Sequence, residues 1–391
     1  MMADIKRKVP NLRFKGFTDD WDQRKLGDLF VYNRPDKYMV QDTNYIDSGT
    51  PVLTANKSFV LGYTNENHTY NKLPAIIFDD FTLENKFVKF PFMVKSSAIK
   101  ILNSRNDQPM MFMYQLLQHS RFVHEGHSRH YISIVQRKDV MVPDNVEEQK
   151  KIATLFSRIQ NIITLQQRKL DLLKQLKKGF LQKMFADKGS KRPILRFEGF
   201  NDDWEGRKLE NSADYIRGSF PQPYGNKEWY GGTNAKPFVQ VVDVNTNMRL
   251  NKKTKEQISV LAQPKSRFVP SDSIVVTLQG SIGRVAITQY DSYVDRTLLI
   301  FTKYKVPVDK YFWAYSIQNI FRIEKQKAPG GTIKTITKRA LSSFEVSLPV
   351  QEEQKKIGTL LKNIDDIITS QQEEVSKLKK IKKSLLQQMF I

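Results

Sequence analysis

Two segments of the chain carry apolar residues at steps of three and four positions, which predicts two long amphipathic helices. They span residues 147 to 185 and 352 to 390, and 22 of their 39 positions are identical at a constant offset of 205. At a rise of about 1.5 Å per residue, each helix would be about 58 Å long. Neither can cover its apolar stripe alone, so we expect the two helices to pair with each other as a coiled coil.

The spacing also predicts which side chains lie in the seam. In the first helix the pattern runs through Ile152, Leu155, Ile159 and Ile162, and resumes after a polar step with Leu173, Leu176 and Phe180. The second helix repeats it with Ile357, Leu360, Ile364, Ile367, Leu378, Ile381 and Leu385. The pairing residues we predict are Ile152, Ile159, Gln166, Leu173, Ile357, Ile364, Gln371 and Leu378.

Gln166 and Gln371 are the midpoints of the two repeats. If the helices pair without stagger, the two glutamines meet, and a buried polar pair would fix the register. The alternative is that they only mark where the helices diverge.

A shorter repeat precedes each variable region. LRFKGFTDDWDQRKL at 12 to 26 returns as LRFEGFNDDWEGRKL at 195 to 209, with 11 of 15 positions identical. The regions between this box and its helix share no run longer than four residues. We therefore divide the chain into a box with a first globe (1–146), a first helix (147–185), a linker with a second box and globe (186–351), and a second helix (352–391). Trp21 and Trp204 in the boxes are interpreted as anchors that dock the globes.

Both globes alternate strand-like and helix-like runs, so the fold class is α+β: two mixed α/β globes separated by two long helices in a pseudo-two-fold repeat. PAIIFDDF, FVKFPFMV, FVQVVDV, SIVVTL and RVAIT read as strands. MMFMYQLLQHSRFV and DKYFWAYSIQNIFRI read as short amphipathic helices.

Composition then narrows the partner. The chain has 63 basic and 41 acidic residues, a net charge of +22, which indicates a polyanion, most simply nucleic acid, with an anionic membrane surface as a weaker alternative. The surplus is +9 in residues 210 to 351 but only +1 in residues 27 to 146. Absence of cysteine excludes disulfides and thiolate metal sites. No long apolar run occurs, so we expect a cytoplasmic protein without membrane segments.

A search for catalytic motifs finds none that a phosphate loop, a zinc protease or a dinucleotide fold would require. The amino-methyltransferase tetrapeptide, Asn or Asp followed by two prolines and an aromatic residue, is also missing. Two clusters remain: the histidines His119, His124, His127 and His130, and the group Asp79, Asp80, Glu84 and Lys86. We interpret the histidines as surface or DNA-facing residues and not as a metal site, and the acidic spacing is too tight for a nuclease. The chain is predicted to have no catalytic residues and no metal.

Two unlike globes, each opened by an LRFxGFxxxW box and closed by an EEQKKI helix, resemble the specificity subunit of type I restriction-modification enzymes, and the likeness spans essentially the whole chain. The strongest matches are LPVQEEQKKI at 348 to 357 and VPDNVEEQKKI at 142 to 152. The resemblance implies that each globe is a target recognition domain reading half of a split double-stranded DNA site. It also implies that the two helices pack as an antiparallel coiled coil that acts as a spacer. The partners it implies are two adenine-N6 methyltransferase subunits and restriction subunits. S-adenosylmethionine, ATP and Mg²⁺ would belong to those partners, and this chain would hold no cofactor.

For contacts with DNA we favour polar residues beside glycine turns, where the backbone can approach the duplex. In the first globe the candidates are Lys57, Asp79, Asp80, Thr82, Arg121 and Arg129. In the second they are Arg217, Ser219, Tyr224, Lys227, Trp229, Gln279, Ser281, Arg284, Lys334, Lys338 and Arg339.

Two other functions stay open at the level of sequence. One is a targeting subunit of a type IIB-like restriction system or a tandem DNA-binding adaptor, which a different co-purifying enzyme would reveal. The other is a coiled-coil interaction protein with lectin-like or membrane-surface globes, which would bind DNA without sequence preference.

Overall fold

The computed structural model describes residues 8–56, 58–123, 129–187, 189–324, 336 and 338–391, with only the backbone described at Lys338 and Arg339. The chain forms two compact units. The first comprises Met1–Gln167 and Glu374–Ile391, and the second comprises Arg168–Glu373. Each unit therefore combines one box and one globe with parts of both long helices, whereas the division predicted from sequence follows the order along the chain.

The helices include the two long ones expected from the apolar periodicity. They are α1 (Leu26–Leu29), α2 (Met110–His119), α3 (Val146–Lys183), α4 (Leu209–Ser212), α5 (Lys310–Glu324), α6 (Lys338–Ser342) and α7 (Gln351–Met389). The two long helices are α3 and α7, and the predicted short helices correspond to α2 and α5. Among the described residues, no helix combines the length and the apolar character needed to cross a membrane.

The strands are short, and each of the five predicted strand runs overlaps one. In the first globe they are β1 (Asp22–Lys25), β2 (Phe30–Asn33), β3 (Thr50–Leu53), β4 (Val60–Thr64), β5 (Ala75–Asp79), β6 (Asn85–Val88), β7 (Met93–Val94), β8 (Ile99–Ser104) and β9 (Asp139–Val142). In the second they are β10 (Glu205–Lys208), β11 (Ala213–Arg217), β12 (Lys236–Val239), β13 (Glu256–Ile258), β14 (Arg267–Val269), β15 (Ile274–Thr277), β16 (Val285–Ile287), β17 (Ser292–Val294), β18 (Leu298–Tyr304) and β19 (Glu345–Leu348). In FVQVVDV the overlap is only Phe238 and Val239, because Val241–Asp243 form a 3₁₀ helix.

The main sheets of the two globes have the same strand order despite their unlike sequences, and the smaller sheets differ by one added strand in the second globe. One four-stranded antiparallel sheet has the order β2-β8-β5-β6 in the first globe and β11-β18-β15-β16 in the second. A smaller sheet has the order β4-β3-β7 in the first and β13-β12-β17-β14 in the second, each with one parallel pair. A box strand pairs with the strand before the long helix in both, as β1 with β9 and β10 with β19. Corresponding loops can therefore be compared one by one.

The boxes lie in the main cores of their units. Trp21 and Trp204 are buried, and each ring meets a phenylalanine from the end of a long helix edge-on: Phe390 at 6.1 Å and Phe185 at 6.3 Å. Phe390 and Phe185 hold the same position in the duplicated helices, at the offset of 205. This arrangement confirms the interpretation of the tryptophans as buried anchors.

Within each unit the two helices run antiparallel. In the first unit Gln160 faces Lys382 and Phe156 faces Phe390, so that rising numbers on α3 meet falling numbers on α7. In the second unit one buried cluster comprises Leu170, Ile364 and Ile368, with Leu173, Phe180 and Leu360 packed against it. Each unit therefore contains an antiparallel pairing of the two helices, as the family resemblance implies.

The seam corrects part of the predicted pattern. Ile162, Leu176, Ile367 and Ile381 were expected in the stripe but are exposed by 42 to 49%. The buried positions are instead Ile163, which follows Ile162, and Ile368, which follows Ile367, together with Leu170 on α3 and Val375 on α7. Steps of four then three and steps of three then four both repeat every seven residues and share Ile152, Ile159, Ile357 and Ile364, so the sequence leaves the phase open. Packing buries the four-then-three positions, which include Phe156 and Leu361.

The residues proposed for helix pairing all fall on this corrected phase. Ile152, Ile357, Ile364 and Gln371 are buried, and Ile159, Gln166, Leu173 and Leu378 are half-buried. That Gln166 and Gln371 meet and set the register stays a prediction.

Candidate nucleic-acid interface

In the second globe, three segments that the sequence proposed separately for DNA contact converge at one end of the main sheet. The Leu278 amide donates to Thr297 O at 2.8 Å, and the Ile336 amide donates to Leu278 O at 3.3 Å. The Arg217 guanidinium donates to Ile336 O at 3.0 Å. The end of β11, the β15–β16 turn and Ile336 therefore form one continuous edge.

The β15–β16 turn is held by its own hydrogen bonds. The Thr277 hydroxyl donates to Ser281 O at 2.5 Å, and the Gly283 amide donates to Thr277 O at 2.9 Å. Gly283 has a φ of 80°, and a Cβ there would lie 2.7 Å from Phe321, so glycine is required by both conformation and space. Gln279, Ser281 and Arg284, the candidates on this turn, are all half-buried, and Arg284 also donates to Val244 O at 3.3 Å.

The candidates at residues 219 to 229 are divided between two places. The Ser219 amide donates to Val294 O at 3.0 Å, beside the converging edge. Tyr224 is 44% exposed, and its hydroxyl accepts from Gln240 Nε2 at 2.6 Å. Lys227 is exposed, whereas Trp229 is half-buried next to β13, with Lys265 Nζ 4.8 Å above its ring. Trp229 therefore packs within the smaller sheet's cluster, and its proposed contact with DNA stays a prediction.

In the first globe the corresponding turn joins β5 to β6, and its two acidic candidates face inward. Asp79 Oδ1 accepts from the amides of Phe81 and Thr82 at 3.0 and 2.8 Å. Asp80 is 2% exposed, pairs with Lys100 at 3.2 Å and accepts from the Tyr131 amide at 2.7 Å. These contacts make both carboxylates structural supports of the turn. Of the three candidates here, only the Thr82 side chain is exposed.

The remaining candidates vary in what the structure describes. Arg121 and Arg129 are exposed on either side of residues 124 to 128. The interpretation of the histidines as surface or DNA-facing residues is wrong for His130, which is buried because its Nδ1 lies 3.0 Å from the carbonyl oxygen of Asp80. His119 is half-buried and stacks on Phe390, with 5.8 Å between the ring centres. Burial lowers the pKa of His119. Lys57, His124, His127 and Lys334 lie outside the described residues, as do the side chains of Lys338 and Arg339.

Each box is joined to the start of its long helix by the same buried ion pair. Arg13 binds Glu148 and Arg196 binds Glu353, each with two guanidinium–carboxylate hydrogen bonds of 2.7 and 2.8 Å. Both glutamate side chains are fully buried, and in each pair the hydrogen bond to the carboxylate raises the arginine pKa. The duplicated box is therefore explained by a duplicated joint between globe and helix, a function that requires the same residues twice.

Two cations that the sequence did not single out lie in the connections that follow the parallel strands β17 and β7 of the smaller sheets. Arg296 is exposed between β17 and β18, and Lys95 is exposed between β7 and β8. Each cation lies over a tyrosine ring: Arg296 over Tyr224 and Lys95 over Tyr45, 5.5 and 6.0 Å from the ring centres. Neither cation follows a glycine turn, so the rule that selected the other candidates could not find them.

Comparison with known proteins decides the family. The model of the type I restriction modification DNA specificity domain matches residues 18–175 and again 201–380, so the family pattern occurs twice and covers most of the chain. This chain belongs to that family. It is therefore a type I restriction-modification specificity protein, and sequence-specific DNA recognition is its role.

Relatives and solved structures agree with the assignment. The chain is 29% identical over 361 residues to the EcoR124I/EcoR124II specificity subunit of Escherichia coli, covering 88% of this chain and 87% of that protein. It is 24% identical over 404 residues to the MjaVIII specificity subunit of Methanocaldococcus jannaschii, covering 94% and 91%. Its fold is similar to the crystal structure of a type I S subunit from M. genitalium, with a TM-score of 0.69, 13% identity and coverage of 98% and 99%.

Proposed function

We propose that each globe of this specificity protein reads one half of a split double-stranded DNA site, and that the paired helices set the gap between the halves. The observation that carries the proposal is the equivalence of the two globes. The same sheet order presents corresponding turns, β5–β6 and β15–β16, with different side chains. Two unlike half-sites require two domains with the same backbone arrangement but different side chains on the turns that contact the bases.

The contrast between the duplicated and the diverged parts supports the division of labour. The joints Arg13–Glu148 and Arg196–Glu353 and the anchors Trp21 and Trp204 are the same in both units. A recognition surface tolerates change because its target varies, while a joint that positions it does not. We therefore assign spacing and assembly to the duplicated helices and boxes, and reading to the globes.

The helices would also dock the enzymes that act on the DNA. Two methyltransferase subunits would bind the two similar surfaces, and restriction subunits would join them. S-adenosylmethionine, ATP and Mg²⁺ would be held by those partners, and this chain would contribute recognition without catalysis. A type IIB-like targeting subunit or a tandem adaptor is the alternative, and the enzyme that co-purifies with the chain distinguishes them.

The experiment is to co-express the chain with its cognate methyltransferase subunit and to map N6-methyladenine across the host genome by long-read sequencing. We expect one new split motif, two unlike half-sites around a constant gap. A continuous motif, or no new methylation from a well-folded complex, would contradict the proposal. A matched control replaces the second globe with that of a relative, which should change one half-site and leave the other half-site and the gap intact.

A further inference from the structure

The connection between β17 and β18 in the second globe is a rigid turn with Arg296 at its exposed apex. Asp295 is 2% exposed, and its Oδ1 accepts from the Thr297 amide at 2.9 Å and from the Thr297 hydroxyl at 2.5 Å. The Leu298 amide closes the turn by donating to Asp295 O at 3.0 Å. The backbone that carries Arg296 is therefore fixed by buried hydrogen bonds on both sides of it.

The guanidinium itself is positioned by an aromatic ring. It lies over Tyr224, whose hydroxyl is held by Gln240 Nε2 at 2.6 Å. Burial raises the pKa of Tyr224 to about 12, so the ring stays neutral at any working pH. In the part of the chain that the structure describes, no carboxylate lies within ion-pair distance of Arg296. The tyrosine ring therefore orients the guanidinium while its N–H groups make no ion pair.

This apex lies in the middle of the converging edge. The Thr297 carbonyl accepts from the β15–β16 turn, and the Leu298 carbonyl accepts from the Gly218 amide at 3.1 Å. At Gly218 the strands approach so closely that a Cβ would lie 2.2 Å from Val294 O and 2.4 Å from Asp295 O. Arg296 is thus surrounded by the glycine turns that a DNA backbone or groove could approach.

The first globe also places an exposed cation in this connection, but one residue earlier, because its hydrogen bonds align Lys95 with Asp295. Its β7–β8 connection is held by Lys95 N to Leu53 O at 3.3 Å and by Asp80 N to Ala98 O at 2.9 Å. The matching bonds in the second globe are Asp295 N to Val239 O and Leu278 N to Thr297 O, at 3.0 and 2.8 Å. Lys95 Nζ lies over the ring of Tyr45, a residue far from it in sequence, as Tyr224 is from Arg296. Two globes of unlike sequence have each placed an exposed cation on a tyrosine in the same connection.

We propose that Arg296 is a specificity-determining residue that reads a guanine in the half-site of the second globe, and that Lys95 contacts a phosphate in the half-site of the first. This inference rests on the proposed function. Arginine donates two parallel hydrogen bonds to guanine O6 and N7, which lysine cannot match in geometry. Lysine is a point charge suited to a phosphate. Stacking on tyrosine holds each cation in place before DNA arrives, which reduces the entropy cost of binding.

The test uses the full chain in complex with its methyltransferase and duplexes carrying the split site found by methylation mapping. Dissociation constants are measured for the native duplex, for duplexes with each base pair of the second half-site replaced, and for duplexes with 7-deazaguanine at each guanine. For Arg296→Lys we expect affinity for the native duplex to fall by roughly 5- to 150-fold, the range for one bidentate base contact. The variant should also stop discriminating at one G·C pair, where 7-deazaguanine weakens only the unchanged protein.

Arg207→Lys is the matched control, because Arg207 lies on β10 in a different sheet and pairs with Glu205. The affinity of this variant for DNA and the motif that it recognises should be those of the unchanged protein. Tyr224→Leu should weaken binding of the same duplexes that Arg296→Lys weakens. The double variant should lose less binding free energy than the sum of the losses of the two single variants. Lys95→Met should weaken binding to all sequences by a similar factor and lower the salt dependence by the equivalent of about one phosphate.

If Arg296→Lys discriminates at every base pair as the unchanged protein does, the inference for Arg296 is wrong. The split motif would still be present, so the proposed function would stand. A sequence preference altered by Lys95→Met would overturn the phosphate assignment. Failure of the proposed function is separate, since the unchanged protein would then show no split motif in the methylation map.

Discussion

Two lysines at the same position of the duplicated helices have different partners. Lys177 on α3 and Lys382 on α7 are related by the offset of 205, as are the residues they contact, Gln160 and Asp365. In the second unit Lys177 Nζ binds both oxygens of Asp365 at 2.7 and 2.8 Å. In the first unit Lys382 Nζ donates to the neutral Gln160 Oε1 at 2.9 Å. The two contacts join equivalent positions of the helices, but one is an ion pair and the other joins a lysine to a neutral amide.

The surroundings have changed with the partner. In the second unit the Tyr315 hydroxyl also donates to Asp365, at 2.5 Å, and Lys177 lies 5.2 Å from the centre of that ring. In the first unit Lys382 faces an amide, and burial lowers its pKa. The second unit thus links its globe to its helices through a charged, fully bonded network, and the first retains a cation that faces a neutral partner. A duplicated scaffold can therefore differ in stability between its two halves.

The largest expected effect is at Asp365. Asp365→Asn keeps an acceptor for Tyr315 but leaves the half-buried Lys177 without its counter-charge, and we expect the free energy of unfolding to fall by roughly 3 kcal/mol. Chemical unfolding followed by circular dichroism measures it. Gln160→Ala is the matched control in the first unit and should cost less than about 1 kcal/mol. Equal decreases would mean that the two sites are energetically the same.

A smaller effect is expected at Lys382. Lys382→Met removes a desolvated cation and should raise the free energy of unfolding at pH 7 by about 1 kcal/mol. Since the folded pKa is lowered, the unfolded chain binds more protons between that pKa and about 10.4, so stability of the unchanged protein rises with pH in this window. The advantage of the variant should therefore shrink from pH 7 to pH 10 in the same unfolding experiment. An advantage that does not depend on pH would contradict the role of burial.

The smallest expected effect is a difference between the two globes in the salt dependence of DNA binding. The second globe carries +9 and the first +1. Replacing Arg217 and Lys227 by glutamine should reduce the slope of log affinity against log salt by about 0.9 for each phosphate that the protein no longer binds. The same change at Arg121 and Arg129 should reduce it less. Equal reductions in titrations from about 50 to about 200 mM salt would show that the neutral globe binds phosphate through a local basic face.

Much of the frame could be predicted from sequence because it depends on local order. Apolar periodicity identifies a helix without knowledge of its partner, and α3 and α7 begin and end within about two residues of the predicted bounds. The boxes could be interpreted as anchors because repetition separates a scaffold residue such as Trp204 from a variable one. The phase of the seam was partly wrong, since Ile162 and Ile163 are both apolar and only the partner helix distinguishes them.

The candidate site was harder, because exposure and hydrogen bonding decide it. Asp79 and Asp80 have the composition of a contact loop, yet the fold turns both inward, one to cap a turn and the other to pair with Lys100. Gly218 and Gly283 lie in two predicted segments that the structure brings together, since glycine is required where backbones approach closely. That this edge contacts DNA stays a prediction. Arg296 lies close to these glycines in space but not in sequence, so no local pattern predicted that it belongs to this edge.

By itself, then, the sequence determined two duplicated helices, two duplicated boxes, two diverged globes and a strongly basic chain. These are properties of spacing, identity and charge that can be counted along the chain. Tertiary structure decided which ends of the long helices belong with each globe, which lysine has a carboxylate, and which cation lies on a tyrosine. Such pairings join residues distant in sequence, and their free energy depends on burial and geometry that exist only once the chain has folded.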